Sequence, residues 1–273
     1  MTSNFYFLNG KIVKESDAKI SINDLGLLRG YGVFDVLRTY FGKPFLLEEH
    51  LLRLFNSAQN IGLKIPYSKA EIKKITNKLL KKVSPESTIK IIVTGGTSAD
   101  GFFGNGKPTF AIVVKSLEKA INQKGVKLIT TQYEREIASA KLLNYVRLVQ
   151  SQNLLRKEKA FTLLYLKGDE VLEGAVCNIF LIRGNKLITP KARILEGLTR
   201  NYVIKIAKKH YKVEERKVTL KELFNAEEIF VTSTIKGILP VIQIDNKKIG
   251  HPNSINKTRA LIDLFNASIH KLS

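Results

Sequence analysis

The sequence predicts an α/β protein arranged as two domains (α+β in its division of labour). Three observations lead there. Short runs rich in valine, isoleucine, threonine and aromatic residues alternate with longer runs whose apolar residues recur at helical spacing. The 273 residues suffice for one large domain or two smaller ones with proper cores. The apolar pattern lapses around Leu117–Gln123, which places a linker at 117–123 between a small domain at 1–116 and a larger one at 124–273.

In the first half, Asn4 to Leu8 reads as a strand, Asn9-Gly10 as a tight turn and Lys11 to Val13 as the return. A further strand is expected near Lys19–Ile22. Gly26, Gly30 and Gly32 fall close together and suggest a loop, followed by a strand from Val33 to Tyr40. Leu47 to Leu63 has the stripe Leu51, Leu54, Phe55, Ala58 and Ile61 of an amphipathic helix, on which His50 and Arg53 are neighbours. Ser68 to Lys82 is a second helix, with Ser68 as N-cap and Glu71 completing a capping box. Strands follow at Thr88–Thr94 and Thr109–Lys115. The glycines between them make a loop and no phosphate cradle, because no Gly-Lys-Ser/Thr and helix follows.

The second half continues with a strand at Gly125–Gln132 and a helix from Lys141 to about Lys159, with Leu142, Tyr145, Val146 and Val149 on its buried face. Strands are expected at Phe161–Leu166, Asn178–Arg183, Lys186–Thr189, Lys212–Lys217, Glu228–Thr232 and Leu239–Ile244. Helices are expected at Thr199–His210, Leu220–Leu223 and Asn253–Ser268.

Composition narrows the function. Hydrophobic residues are 44% and charged ones 25%, as in soluble globular proteins, and no apolar run is long enough to span a bilayer. The first residues lack a basic segment followed by an apolar core, so a cytoplasmic location is expected and no membrane partner. The single cysteine, Cys177, excludes an intrachain disulfide and reads as a buried, inert thiol. The four histidines have no metal-ligand spacing, so no metal is expected. A net charge of +21 is compatible with nucleic-acid binding. The basic pairs Lys73-Lys74, Lys81-Lys82, Lys208-Lys209 and Lys247-Lys248 are dispersed, however, and fit a solvated lysine-rich surface better. A basic nucleic-acid-binding protein stays as the alternative outside the enzyme class; it predicts salt-dependent binding and a colourless preparation.

The chemistry centres on Lys141, which lies among small residues at the expected start of a helix. A cation gains nothing from that end of a helix dipole, although a surface lysine in a lysine-rich chain is the bland explanation. A lysine beside buried residues can act as an amine nucleophile toward a carbonyl. Its company changes the balance: Glu49-His50-Leu51-Leu52-Arg53 upstream, then Val171-Leu172-Glu173-Gly174, Asn178, Leu195-Glu196-Gly197-Leu198-Thr199-Arg200 and Phe230-Val231-Thr232-Ser233-Thr234-Ile235-Lys236.

In that order these motifs resemble the class IV aminotransferases, pyridoxal phosphate enzymes of fold type IV. That family includes D-amino-acid transaminases, branched-chain aminotransferases and aminodeoxychorismate lyase. The likeness runs from about Asn9 to about Phe265. It implies a D-amino-acid aminotransferase-like fold of two α/β domains, with pyridoxal 5′-phosphate in the cleft of a homodimer, and amino acid and 2-oxo acid substrates. Lys141 would hold the aldehyde as a Schiff base and shuttle a proton once freed. Glu173 would pair with the pyridine nitrogen and Tyr145 would hydrogen-bond the ring oxygen. Arg53, Leu198, Thr199, Ser233 and Thr234 would hold the phosphate, with Asn178 in the same cofactor motif set. Arg29, Tyr31, Phe34, Arg38, Lys90, Ile235 and Lys236 would line the substrate site.

Within the family, branched-chain enzymes usually carry Tyr-Gly-Thr-Ser-Val-Phe-Glu-Gly at the first motif. Here the glutamate is shortened to Asp35 and the glycine replaced by Val36. Bacillus-type D-amino-acid transaminases carry an Arg-x-His carboxylate clamp, where this chain has Ala99-Asp100-Gly101-Phe102. The combination is most similar to an atypical D-amino-acid transaminase subgroup, with Arg29, Lys90 or Lys236 gripping carboxylates. Aminodeoxychorismate lyase and a branched-chain L-amino-acid aminotransferase remain the alternatives.

Overall fold

A computed structural model describes residues 4–117, 125–250 and 255–270. The chain divides into two compact units, Met1–Lys119 with Ala140–Asn144, and Ala120–Ser139 with most of Tyr145 onward.

In the first unit, β1 (Phe5–Leu8) and β2 (Lys11–Lys14) form the expected hairpin. Asn9 and Gly10 both take the positive φ that such a two-residue turn requires. No strand forms at Lys19–Ile22. Ile20 and Ile22 are exposed there, so the alternation has no core to face. The glycine-rich stretch is not a plain loop but contains a one-turn helix, α1 (Leu25–Arg29). Asp24 caps it by accepting from the Gly26 amide at 2.7 Å. The other Asp24 carboxylate oxygen accepts from the Thr94 and Thr109 hydroxyls at 2.9 and 2.6 Å, which locks the cap onto the sheet.

That sheet is completed by β3 (Gly32–Tyr40), β4 (Lys43–Pro44), β5 (Ser87–Thr94) and β6 (Thr109–Ser116). It is antiparallel throughout, in the order β2-β1-β6-β5-β3-β4. Helices α2 (Leu47–Asn60) and α3 (Lys69–Leu80) supply the rest of its core. Leu51, Leu54 and Ala58 of α2 and Ile72 and Leu79 of α3 join Val33, Leu37, Ile89, Ile91 and Val93. Each of the leucine, isoleucine and valine side chains contributes about 1.5–3 kcal/mol on burial. The expected capping box at Ser68 and Glu71 is present in both directions. Because strand residues alternate, Phe34, Val36 and Arg38 fall on the face of β3 away from this core, beside Ile92, Lys90 and Thr88 of β5.

The segment Ala140–Asn144 groups with this first unit, whereas the expectation put it in the second domain and Lys141 at a helix start. Lys141 instead lies on an extended stretch stitched to β3. The Phe34 amide donates to the Lys141 carbonyl at 3.0 Å, the Leu143 amide to the Gly32 carbonyl at 3.1 Å, and Val33 and Leu142 form a β-bridge. Gly32 is needed at this crossing, since a Cβ there would come within 2.6 Å of the Val93 carbonyl oxygen and 2.7 Å of Leu143.

The helix expected over Lys141–Lys159 begins five residues later and breaks at Ser151, giving α4 (Val146–Gln150) and α5 (Gln152–Lys157). Its phase also differs. Val146 and Val149 are exposed, while Leu148 and Leu155 pack inward.

The second unit is built on a ten-stranded mixed sheet. Its strands are β7 (Val126–Gln132), β8 (Thr162–Lys167), β9 (Glu170–Gly174), β10 (Asn178–Arg183), β11 (Lys186–Thr189), β12 (Lys212–Glu215), β13 (Val218–Thr219), β14 (Glu228–Ser233), β15 (Gly237–Ile244) and β16 (Lys247–Lys248). The order is β12-β11-β10-β14-β15-β7-β8-β9-β13, with β16 on β15. One core gathers Leu164, Ile179, Leu181, Ile229, Val231 and Val241, and another Leu163, Tyr165, Leu172 and Ile194. Adjacent strand residues entering different cores, Leu163 and Tyr165 one and Leu164 and Leu166 the other, explain why β8 reads as a continuous apolar run. The helices are α6 (Leu198–Ala207), α7 (Leu220–Phe224) and α8 (Asn256–His270). Most of the expected linker, and the expected start of the last helix at Asn253, lie outside the described residues. Cys177 is a buried free thiol whose pKa burial pushes well up.

Candidate active site

In the first unit, β3, β5 and α2 position two basic groups. The Lys141 ammonium sits 4.7 Å from the centre of the Phe34 ring, and the Lys90 ammonium 6.0 Å from the same ring. Three of the expected residues therefore converge. The Lys141 amide donates to Ser57 Oγ at 3.0 Å, and Ser57 is fully buried on α2. One turn back, Arg53 meets Asp35 side-on, with Nε to Oδ2 and Nη2 to Oδ1 both at 2.8 Å. His50 Nδ1 lies 2.7 Å from Oδ1 of the same carboxylate.

Asp35 is fully buried, which by itself would raise its pKa. The Arg53 charge and His50 more than offset this and hold the carboxyl far below its usual range. Burial likewise pushes the His50 pKa down, against the pull of Asp35 and aided by Arg53 and Lys141. His50 is therefore neutral near pH 7, donating its Nδ1 hydrogen to the carboxylate.

The other expected residues of this unit have individual surroundings. Arg29 ends α1, exposed, with its guanidinium 4.3 Å from the centre of the Phe102 ring. Tyr31 donates to the Ile61 carbonyl at 2.9 Å and so ties β3 to the end of α2. Arg38 shares Phe34's face, but its charge is taken up by Glu86 at 2.8 Å and its guanidinium lies over Tyr40.

In the second unit, Glu173 on β9 is buried and engaged by Arg135, whose Nε lies 2.9 Å from Oε1, while the Leu195 amide donates to Oε2 at 3.1 Å. Arg135 also donates to the Ala175 carbonyl at 2.6 Å, and its guanidinium stands 4.8 Å from the Tyr145 ring centre and 5.6 Å from that of Tyr165. Burial opposes the arginine's charge, yet Glu173 and the tyrosines leave its pKa raised. Tyr145 is the N-cap residue of α4, and Arg135 contacts both it and Glu173.

The N-terminus of α6 follows Gly197, which has no side chain to cap it, so the first amides of the helix keep no intrahelical acceptor. Leu198 and the buried Thr199 are its first residues. Asn178 fixes this end by donating to the Leu195 carbonyl at 2.8 Å. Its β10 position pairs with Thr232 of β14, immediately before Ser233 and the turn Thr234-Ile235-Lys236. Thr232 Oγ1 is buried without a hydrogen-bond partner. An uncapped helix start, tied to Asn178, and a hydroxyl-bearing turn are thus connected to paired positions of the neighbouring strands β10 and β14, and free helix amides and hydroxyls are the donors an anion site uses.

Sequence reasoning overlooked Arg135, Asp35, His50 and Ser57 as working parts. Arg135 sits in a charged Glu134-Arg135-Glu136 run that looks solvated, and Ser57 lies inside an ordinary helix. The His50–Arg53 spacing was the one local signal, and it lacked its partner on β3.

Within the first unit Lys141 lies beside Phe34 and Lys90, and within the second a buried carboxylate, Glu173, and an uncapped helix start, that of α6, share one sheet. Residues 32–244 match the family described as amino-transferase class IV. The chain is 36% identical to a putative branched-chain-amino-acid aminotransferase of Methanocaldococcus jannaschii, over 95% of this chain and 94% of that one. It is 31% identical to a D-alanine aminotransferase of Bacillus licheniformis, over 89% of each. Among solved structures it superposes on a branched-chain aminotransferase from Thermoproteus uzoniensis with norvaline, with a TM-score of 0.89 at 27% identity, covering 97% of this chain and 94% of that one.

The chain belongs to the class IV aminotransferase family. It has the type IV fold, and its enzymes work with pyridoxal 5′-phosphate. The residues present fit that cofactor: the unpartnered Thr232 hydroxyl and uncapped α6 amides suit a phosphate, and the buried Glu173 suits a protonated ring nitrogen. Among the described residues, no helix is long and apolar enough to cross a membrane, and no group of metal-ligating side chains occurs.

Proposed function

We propose that this aminotransferase moves an amino group between a D-amino acid, of the D-alanine or D-glutamate type, and a 2-oxo acid. When bound, pyridoxal phosphate supplies an electron sink for the substrate's α-carbon. Lys141 would be the covalent anchor for the cofactor, and its Nζ would be the group that holds and moves the proton of the substrate's α-carbon. Glu173 keeps the ring nitrogen charged, and Tyr145 orients the ring oxygen. Arg53, the amides of Leu198 and Thr199, and the hydroxyls of Ser233 and Thr234 hold the phosphate, while Asn178 acts indirectly by fixing the start of α6. Phe34 forms an apolar wall, Lys90 meets a side-chain carboxylate, and Ile235 and Lys236 border the substrate. Arg38, neutralised by Glu86, takes a structural part at the site's margin.

The observation that carries the D-amino-acid reading is the position of Arg29. Its guanidinium lies on Phe102, in the loop where Bacillus-type D-amino-acid transaminases carry their clamp. An arginine from α1 thereby offers the carboxylate grip that the loop itself lacks. The 31% identity to a D-alanine aminotransferase supports the same reading. A branched-chain L-amino-acid activity is the second reading, favoured by the 36% identical relative. We further propose a homodimer, supported by the exposed apolar side chains Ile22, Leu27, Phe102 and Phe103, of which Phe102 lies under the Arg29 guanidinium.

The test is titration of the purified yellow protein with single amino acids while its visible band is followed. D-alanine or D-glutamate is expected to bleach the band and L-leucine to leave it. Bleaching by L-leucine alone would overturn the D-amino-acid reading in favour of the second.

A further inference from the structure

We infer that Asp35, backed by His50, is a positioning residue that holds the Arg53 guanidinium in the orientation a phosphate ester needs. These two buried side chains would then govern how tightly the cofactor's phosphate is bound. The inference rests on the proposed role of Arg53.

The geometry begins with the alternation of β3. Phe34 and Val36 face away from the core, while Asp35 lies fully buried on the opposite side, against α2. On that helix His50, Arg53 and Ser57 recur at i, i+3 and i+7, so one face presents all three. An arginine side chain is long and rotatable, and a side-on pair with a buried carboxylate removes most of that freedom. Nε and Nη2 are the two atoms that Asp35 engages. His50 Nδ1 reaches the Oδ1 that Arg53 Nη2 also uses, and so fixes the carboxylate's own rotation.

Electrostatics alone would predict the opposite effect. The carboxylate cancels positive charge that a phosphate would welcome, so what Asp35 contributes is orientation. The same helix face also holds Lys141 through Ser57. A merely structural role for Asp35 would therefore disturb the lysine as well as the arginine. That difference can be measured, because pyridoxal forms the lysine linkage but has no phosphate.

The experiment strips the full-length protein of cofactor and titrates it by visible absorbance with pyridoxal phosphate and, separately, with pyridoxal. Asp35→Asn is expected to weaken pyridoxal phosphate binding by about ten-fold or more, the loss of one charge-assisted contact, and pyridoxal by less than about two-fold. His50→Gln should shift the phosphate-bearing ligand alone, in the same direction and by less. If Asp35→Asn does not fold, His50→Gln reads the same difference with the ion pair intact. Parallel losses for both ligands, or tighter binding of pyridoxal phosphate, would overturn the inference. Arg53→Ala separates it from the reading beneath it. If that variant binds pyridoxal phosphate as wild type does, the role of Arg53 itself fails. If it loses the phosphate preference while Asp35→Asn and His50→Gln keep it, only the positioning role fails.

Discussion

Removing the Glu173 carboxylate should cost stability as well as turnover, and the two losses can be separated. Glu173 and Arg135 are 2.9 Å apart, with side chains 5% and 14% exposed. Opposite unit charges at this separation attract by about 5–6 kcal/mol at an effective dielectric of about 20. Desolvation consumes much of that in the intact pair, but deleting one partner strands the other, at about 3–5 kcal/mol. Glu173→Ala also removes the acceptor of the Leu195 amide. For a chain of this size the sum corresponds to a fall in melting temperature of roughly 10 °C. The double variant Arg135→Met/Glu173→Ala no longer buries an unpaired charge and should regain at least about half of that loss. Turnover should stay low in both, because neither retains the proposed partner of the ring nitrogen. Thermal denaturation of the three proteins, wild type, Glu173→Ala and the double variant, read beside their transamination rates, tests this. A Glu173→Ala protein that melts with wild type, or a double variant no more stable than the single, would refute the reasoning.

Two further predictions follow from the first unit. The folded-state pKa of His50 is depressed, so on acidification below about pH 6.5 the unfolded chain takes up this proton first. Stability should then fall by up to about 1.4 kcal/mol per pH unit until the folded pKa is passed. Asp35, also depressed, adds a loss in the same direction below about pH 4. Denaturant midpoints from pH 8 to pH 5 should therefore drop more steeply in wild type than in His50→Gln; equal slopes would contradict the assignment. Gly32→Ala forces a methyl against the Val93 carbonyl and Leu143, at about 1–3 kcal/mol. Because it pushes on the strand pairing that holds Lys141, it should lower bound cofactor per protein, measured by absorbance. Full occupancy and an unchanged melting temperature would show that the crossing tolerates it.

Local patterns were sufficient where neighbouring residues settle the structure. The Ser68–Glu71 box starts α3 as expected, the Asn9-Gly10 turn joins β1 and β2, and the stripe Leu51, Leu54 and Ala58 packs as an amphipathic helix should. The motifs around Lys141, Glu173 and Leu198 were readable as a family order, because each is a short continuous stretch. What escaped depends on partners distant in sequence. Lys141 is extended because Gly32, Phe34 and Ser57 hold its backbone, and no window around position 141 contains them. The helical spacing of Val146 and Val149 exists, but both face outward, so spacing without a known core misplaced the buried side. Arg38 has the right face and the wrong charge balance, since Glu86 lies 48 residues away. Asp35 looked like a shortened glutamate until its contacts with His50 and Arg53 were visible.

Everything proposed for the chemistry requires the cofactor to be joined to the chain through the Lys141 side chain. Reduction of the yellow protein with borohydride, followed by proteolysis and mass spectrometry, reads that bond directly. A phosphopyridoxyl group on the peptide carrying Lys141, and absent from the Lys141→Ala protein, is the predicted result. The same group on another lysine, with Lys141 unmodified, would contradict it.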